Sequence, residues 1–144
     1  MKTLILAATA ALIAAPALAQ TAPTPRLNVE IPEVASVSAD PTCGGNAGLA
    51  QQAFCVTTTQ AAITTVVDTF TADFSRQGWI AAGGSDNRVV YVKRKEGGGC
   101  DGFQMLAFAD ESRVQAPGAP AWLAFAAIPG DVCAAHPAPT PANP

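Results

Sequence analysis

The sequence is short of the residues from which most catalytic and metal sites are made. It has one histidine, His136, and that residue sits among prolines. A general base needs a fixed place within hydrogen-bond reach of its substrate, so histidine-dependent hydrolysis is not expected. There is no Cys-x-x-Cys spacing, and with the only histidine in a proline-rich tail, metal binding is a weak competitor for the four cysteines. Charged residues are only 13 % of the chain, the formal charge is −3, and the single short basic run is Lys93-Arg94-Lys95. That balance argues against nucleic acid as a general partner. Beyond the first residues, no stretch is long and apolar enough to span a bilayer. No resident cofactor or metal is expected.

The start of the chain is an address. Met1-Lys2 is followed by an apolar run from Leu4 to Ala15, then Pro16 and Ala17-Leu18-Ala19. A basic start, a short apolar stretch and small residues at the cut make a secretory signal peptide over residues 1–19, with cleavage expected before Gln20. No cysteine follows that position to carry a lipid. Loss of Lys2 leaves 7 basic residues against 11 acidic ones, a formal charge of −4. Cys43, Cys55, Cys100 and Cys133 all lie in the exported part. An even count in an oxidising compartment reads as two disulfides. A periplasmic or secreted bacterial envelope protein is the expectation.

Residues 20–41 read as a proline-containing linker in which Leu27, Val29 and Ile31 alternate with polar residues as a possible edge strand. Leu49 to Phe54 reads as a short helix capped by Asn46. Thr57 to Trp79 reads as one amphipathic helix, with Ile63, Val66, Val67, Phe70 and Phe74 on one stripe. Thr57 and Gln60 fit a capping box at its start. Gly78 marks its end, with Trp79 placed to meet Phe74. Its threonines cost roughly 0.5 kcal/mol each relative to alanine, so the helix needs a sheet to receive the stripe. Four strands follow: Trp79 to Ala82, Asn87 to Lys95, Phe103 to Ala109 and Trp122 to Ile128, separated by Gly- and Pro-containing turns. Residues 42–133 thus form one α+β domain, a main helix packed on a four-stranded antiparallel meander. Residues 134–144 are Pro/Ala-rich and expected to be disordered. The order helix, Gly78-Trp79, sheet resembles that of small helix-on-sheet envelope modules, a likeness that implies nothing about activity.

Topology selects the cystines. In such a meander Cys100 and Cys133 lie at the C-terminal pole of the helix, and Cys55 lies about 30 Å away at the other pole. A disulfide spans only about 6 Å between Cα atoms. The pairing expected is Cys43–Cys55 and Cys100–Cys133.

Three further patterns bear on function. Gly97-Gly98-Gly99-Cys100-Asp101-Gly102 matches G-x-G-x-x-G, but a strand rather than a helix follows it, so a pyrophosphate site is not expected. Asp101 and Asp131 flank the expected Cys100–Cys133 bridge. As a close pair they would suit acid/base chemistry or calcium, whereas as separate residues they are ordinary turn aspartates. Lastly, the strands after Gly99 are apolar on both faces: Leu106 and Phe108 against Phe103 and Met105, and Leu123 and Phe125 against Trp122 and Ile128. A sheet covered on one side alternates apolar with polar. The second face must therefore be covered by the Leu27–Ile31 and Leu49–Phe54 segments, by a protein partner or second subunit, or by an apolar ligand. Phe103, Met105 and Trp122, with the Lys93, Arg94 and Lys95 tip, are the candidate interaction surface. A non-catalytic binding or structural module is the leading reading, with a secreted inhibitor or ligand carrier, and an Asp101/Asp131 enzyme or calcium protein, as alternatives.

Overall fold

The computed structural model describes residues 26–134. The expected signal peptide, its cleavage point, His136 and the tail from residue 135 lie outside the described residues. Within them the chain is α+β. Six strands, β1 (Ser38–Ala39), β2 (Phe54–Thr59), β3 (Ile80–Ser85), β4 (Arg88–Arg94), β5 (Cys100–Ala109) and β6 (Pro120–Ile128), form one antiparallel sheet in the order β1-β2-β6-β5-β4-β3. Helix α1 is a single turn, Ala47–Ala50, and α2 runs Ile63–Arg76.

The four expected strands are present as β3 to β6, and the sheet has two more. The correction lies at Thr57. Phe54-Cys55-Val56-Thr57-Thr58-Thr59 is a strand, not a helix start, and pairs along its whole length with β6. Its β-branched residues suit a pleated surface better than a helix. No capping box forms: the Thr57 hydroxyl donates to the Ala121 carbonyl, and the Gln60 N–H is used by Ala119. The helix starts at Ile63 after Ala62, with no side-chain cap. Asn46 does cap α1, its side chain accepting from Leu49 N–H at 3.0 Å, but that helix stops at Ala50 because Phe54 belongs to β2. The Leu27–Ile31 segment is not a strand. It is an irregular arm packed on the helix-side core and tied to α2 by Gln77, which exchanges hydrogen bonds with the Glu30 backbone.

The end of α2 follows the sequence. Gly78 has φ +88°, Trp79 N–H reaches back to Phe74 O and Gly78 N–H to Ser75 O. That is the glycine-terminated helix end in which positive φ frees the last carbonyls to be satisfied. The Trp79 ring meets Phe103 at 4.8 Å rather than Phe74, and both rings converge on Phe103.

Packing explains the whole arrangement. From β2 the chain crosses one face of the sheet as α2, enters the far edge as β3, then returns by hairpins until β6 inserts between β5 and β2. Val66, Phe70 and Phe74 are buried against Val56, Tyr91, Phe103, Met105, Leu123 and Phe125. Phe74 is the centre, edge-on to Tyr91, Phe103 and Phe125 at 5.0 to 5.9 Å. Such pairs contribute about 0.5–1.5 kcal/mol each beyond area burial.

Both disulfides pair as expected, each with Cα atoms 5.2 Å apart. The reason for the separation differs from the one drawn from the sequence. Cys55 shares a row with Ala124 and Leu106, and Cys100 lies six positions back along β5, about 20 Å away.

One buried polar atom has no partner: Thr58 Oγ1, among the described residues. Removing it should cost nothing, because an unpaired buried hydroxyl carries a desolvation penalty. Thr58→Val is expected to leave stability unchanged or raise it by about 1 kcal/mol in urea unfolding, whereas Phe74→Ala should cost about 3–5 kcal/mol. A clear loss in Thr58→Val would contradict this placement.

Candidate functional site

The register divides the sheet into two faces. Tyr91, Phe103, Met105, Leu123 and Phe125 point to α2. Cys55, Trp122, Ala124, Leu106 and Phe108 point the other way, to a second face that has no long helix over it. This places the candidate surface residues differently from the expectation. Phe103 and Met105 are 1 % and 2 % exposed beneath α2 and are not available to a partner. Trp122 is on the second face but is itself covered. Because both faces are apolar, alternation alone could not say which set the helix takes.

Cover for the second face comes first from the Cys43–Gly45 turn and α1. Cys43 is linked to Cys55, and Leu49, Ala50 and Ala53 pack beside them. Asp40 fastens this cover. Its carboxylate accepts from the Thr42 hydroxyl and N–H, the Gly44 N–H and the indole Nε1–H of Trp122, the last at 2.8 Å. Gly44 lies so close to the Trp122 ring that a Cβ there would stand 2.8 Å from it, and its φ of +66° also favours glycine. The Thr42 hydroxyl first, then the Gly44 N–H, hold the Asp40 carboxyl down at about 2, against its ordinary 3.8.

A second patch of cover lies at the other end. Val132 sits over Gly102, where a Cβ would come within 2.7 Å of its side chain. Asp131 holds this turn by accepting from Cys100 N–H and Cys133 N–H at 2.8 and 2.9 Å, and those two bonds, with Lys95 nearby, lower its pKa. Asp101 has other partners: Asn28 Nδ2 at 3.2 Å and Lys95 Nζ at 3.8 Å. Asp131 gathers with Cys100 and Cys133, whose sulfurs are bonded to each other, and Asp101 is not in that group. Asp131 thus holds its turn, while Asp101, a residue of β5, has partners of its own. The glycine run is a turn feeding strand β5, with Gly98 and Gly99 at positive φ.

Between the two covers lies an open strip. Val90, Val92, Gln104, Leu106, Ala126 and Ile128 are half-buried there, and Ile80 at its border is 65 % exposed. The basic run is split by the pleat. Lys93 turns to the helix side, donating to Gln77 O at 2.8 Å and lying over the Trp79 ring. Lys95 is in the turn beside Asp101, and only Arg94 joins the strip, where Arg88 is also found. The alternation Arg88, Val90, Val92, Arg94 was readable in the sequence, whereas Asp40, Gly44 and Val132 act through contacts far along the chain.

A separate groove of about 630 Å³ lies on the helix side at the β1–β2 edge, lined by Ile31, Val34, Val37, Phe54 and Val56 among others. No family model matches this chain, nor does any curated protein or solved structure.

Two outcomes follow from the covers. A carboxyl whose folded pKa is depressed adds stability that is full above its unfolded pKa and is lost as pH falls through the folded value. The Asp40 contribution should therefore fade between about pH 4 and pH 2, and the Trp122 indole N–H resonance should titrate with a midpoint near 2. A midpoint near the ordinary 3.8 would contradict the clamp. The bridges also differ in access: Cys43 and Cys55 are 0 % and 2 % exposed, while Cys133 is open to solvent. Attack on a disulfide needs access to a sulfur, so mild dithiothreitol followed by alkylation and mass spectrometry should label Cys100 and Cys133 first. Simultaneous opening, or labelling of Cys55 first, would contradict it.

Proposed function

We propose that this protein is a non-catalytic binding module of an extracytoplasmic compartment, and that it binds a protein partner through the open strip on the second sheet face. The observation that carries the reading is the apolar character of Val90, Val92, Leu106 and Ile128 on a face where a plain surface sheet would carry polar side chains. Apolar surface of this kind marks interaction sites more often than it is left idle. The compartment is supported by two disulfides. It is also in keeping with the described helices, none of which is long and apolar enough to cross a membrane.

A second reading, carriage of a small apolar ligand, is favoured by the groove beside Phe54, which is 43 % exposed and lined mostly by aliphatic side chains. The two readings use opposite faces and so are separable. With a photo-crosslinking residue at position 92 or 104, the protein expressed in its own cell should capture a discrete partner, and with the crosslinker at position 68 on the exposed side of α2 it should not. Capture at 68 and not at 92 or 104 would overturn the strip reading. A fatty-acid probe displaced by Phe54→Glu, with no capture at 92 or 104, would favour the carrier.

A further inference from the structure

The cations of this protein fall into two groups. Arg76 pairs with Asp73, Arg113 with Asp110 and Lys95 with Asp101. Lys93 donates to a helix-end carbonyl and lies over Trp79. Apart from Arg26, where the described residues begin, the two remaining cations are Arg88 and Arg94, whose side chains have no hydrogen bond or ion pair among the described residues. Both are exposed, both belong to β4, and the register puts both on the second face, Arg88 opposite Leu106 and Arg94 opposite Cys100. Six positions apart on one strand, they stand about 20 Å from each other, one at each end of the open strip. No strand position on that face carries an acidic residue. An acidic protein thus carries an unpaired arginine at each end of one apolar surface.

We infer that the strip docks a segment of a partner protein with an apolar centre and carboxylates at both ends, set about 20 Å apart. This rests on the strip being a binding surface and adds the chemistry of what it binds. Valine and leucine side chains between the arginines exclude water from the contact. Each guanidinium presents a planar fork that matches a carboxylate with two parallel hydrogen bonds. Matching charge at both ends fixes register along the strand as well as affinity.

Other occupants fit less well. A second copy laid face to face with β4 on β4 would bring arginines against arginines, and the carboxylates of the two covers, Asp40 and Asp131, are already bonded within their own turns. The chain's own remaining segments, residues 1–25 and 135–144, contain no Asp or Glu.

The test uses the purified protein and fluorescein-labelled amphipathic peptides of about 14 residues, long enough as a helix to span the strip. One peptide carries two glutamates at each end of a leucine stripe, and the other carries lysines there. By fluorescence anisotropy the glutamate peptide is expected to bind at least about tenfold more tightly, with the advantage shrinking as salt is raised. R88E/R94E, which replaces two exposed side chains without partners, is expected to keep both disulfides and its thermal transition and to reverse the preference. Equal affinity for the two peptides, no binding of either, or an unchanged preference in R88E/R94E would overturn the inference. So would binding to phosphatidylglycerol vesicles in place of the peptides, or a dimer in light scattering that R88E/R94E dissolves. Val92→Lys separates the two levels. If both peptides bind equally and Val92→Lys abolishes both, the strip stands and the carboxylate chemistry falls. If Val92→Lys changes neither, the strip falls too.

Discussion

The structure depends on one strand being apolar on both sides. β6 lies between β5 and β2, and Ala121, Trp122, Leu123, Ala124 and Phe125 are all buried. A strand in that position cannot be satisfied by a helix on one face alone. Leu123 and Phe125 take α2 through Phe70 and Phe74, while Trp122 and Ala124 take the Cys43–Gly45 turn and α1. The long helix is held by packing area. The short cover has little area of its own, so it is fixed by a disulfide, by Asp40 and by the close approach of Gly44 to Trp122. Closing loops of 12 and 33 residues, the two bridges contribute about 3 and about 4 kcal/mol in chain-entropy terms. That is a large share of the total stability of a domain this size.

Much of this was legible in the residues, and what was not has a physical reason. The Ile63–Phe74 stripe, the Gly78 stop, four strands and both cystines follow from local pattern and chain geometry. β2 does not, because Thr57 and Gln60 have the spacing of a helix cap and a strand is chosen only when an edge is there to pair with. That edge belongs to β6, more than sixty residues later. The Leu27–Ile31 alternation reads as a strand for the opposite reason. Its apolar residues reach the core, but no sheet edge reaches its backbone. The faces of β5 and β6 could not be assigned because both are apolar, and so Phe103 and Met105 were grouped with Trp122 although the pleat sends them to opposite sides.

The cover over the second face stops short of β4, and this unfinished half is where the functional reading lies. A cover that ended at random would leave charges scattered over what remained. Instead the open strip is aliphatic along its length except at Gln104, with arginine at its ends, while Asp40, Asp73, Asp101, Asp110 and Asp131 are engaged in turns and pairs of their own. Sequence, register and pairing thus converge on the same few residues of β4, β5 and β6.

The most direct measurement of this account is solvent paramagnetic relaxation at assigned methyl groups. A soluble gadolinium chelate should strongly relax the methyls of Val90, Val92 and Leu106 and leave those of Val56, Val66 and Leu123 nearly untouched. Equal protection of both sets would mean that the chain itself covers the whole second face, and the strip would not exist as a surface.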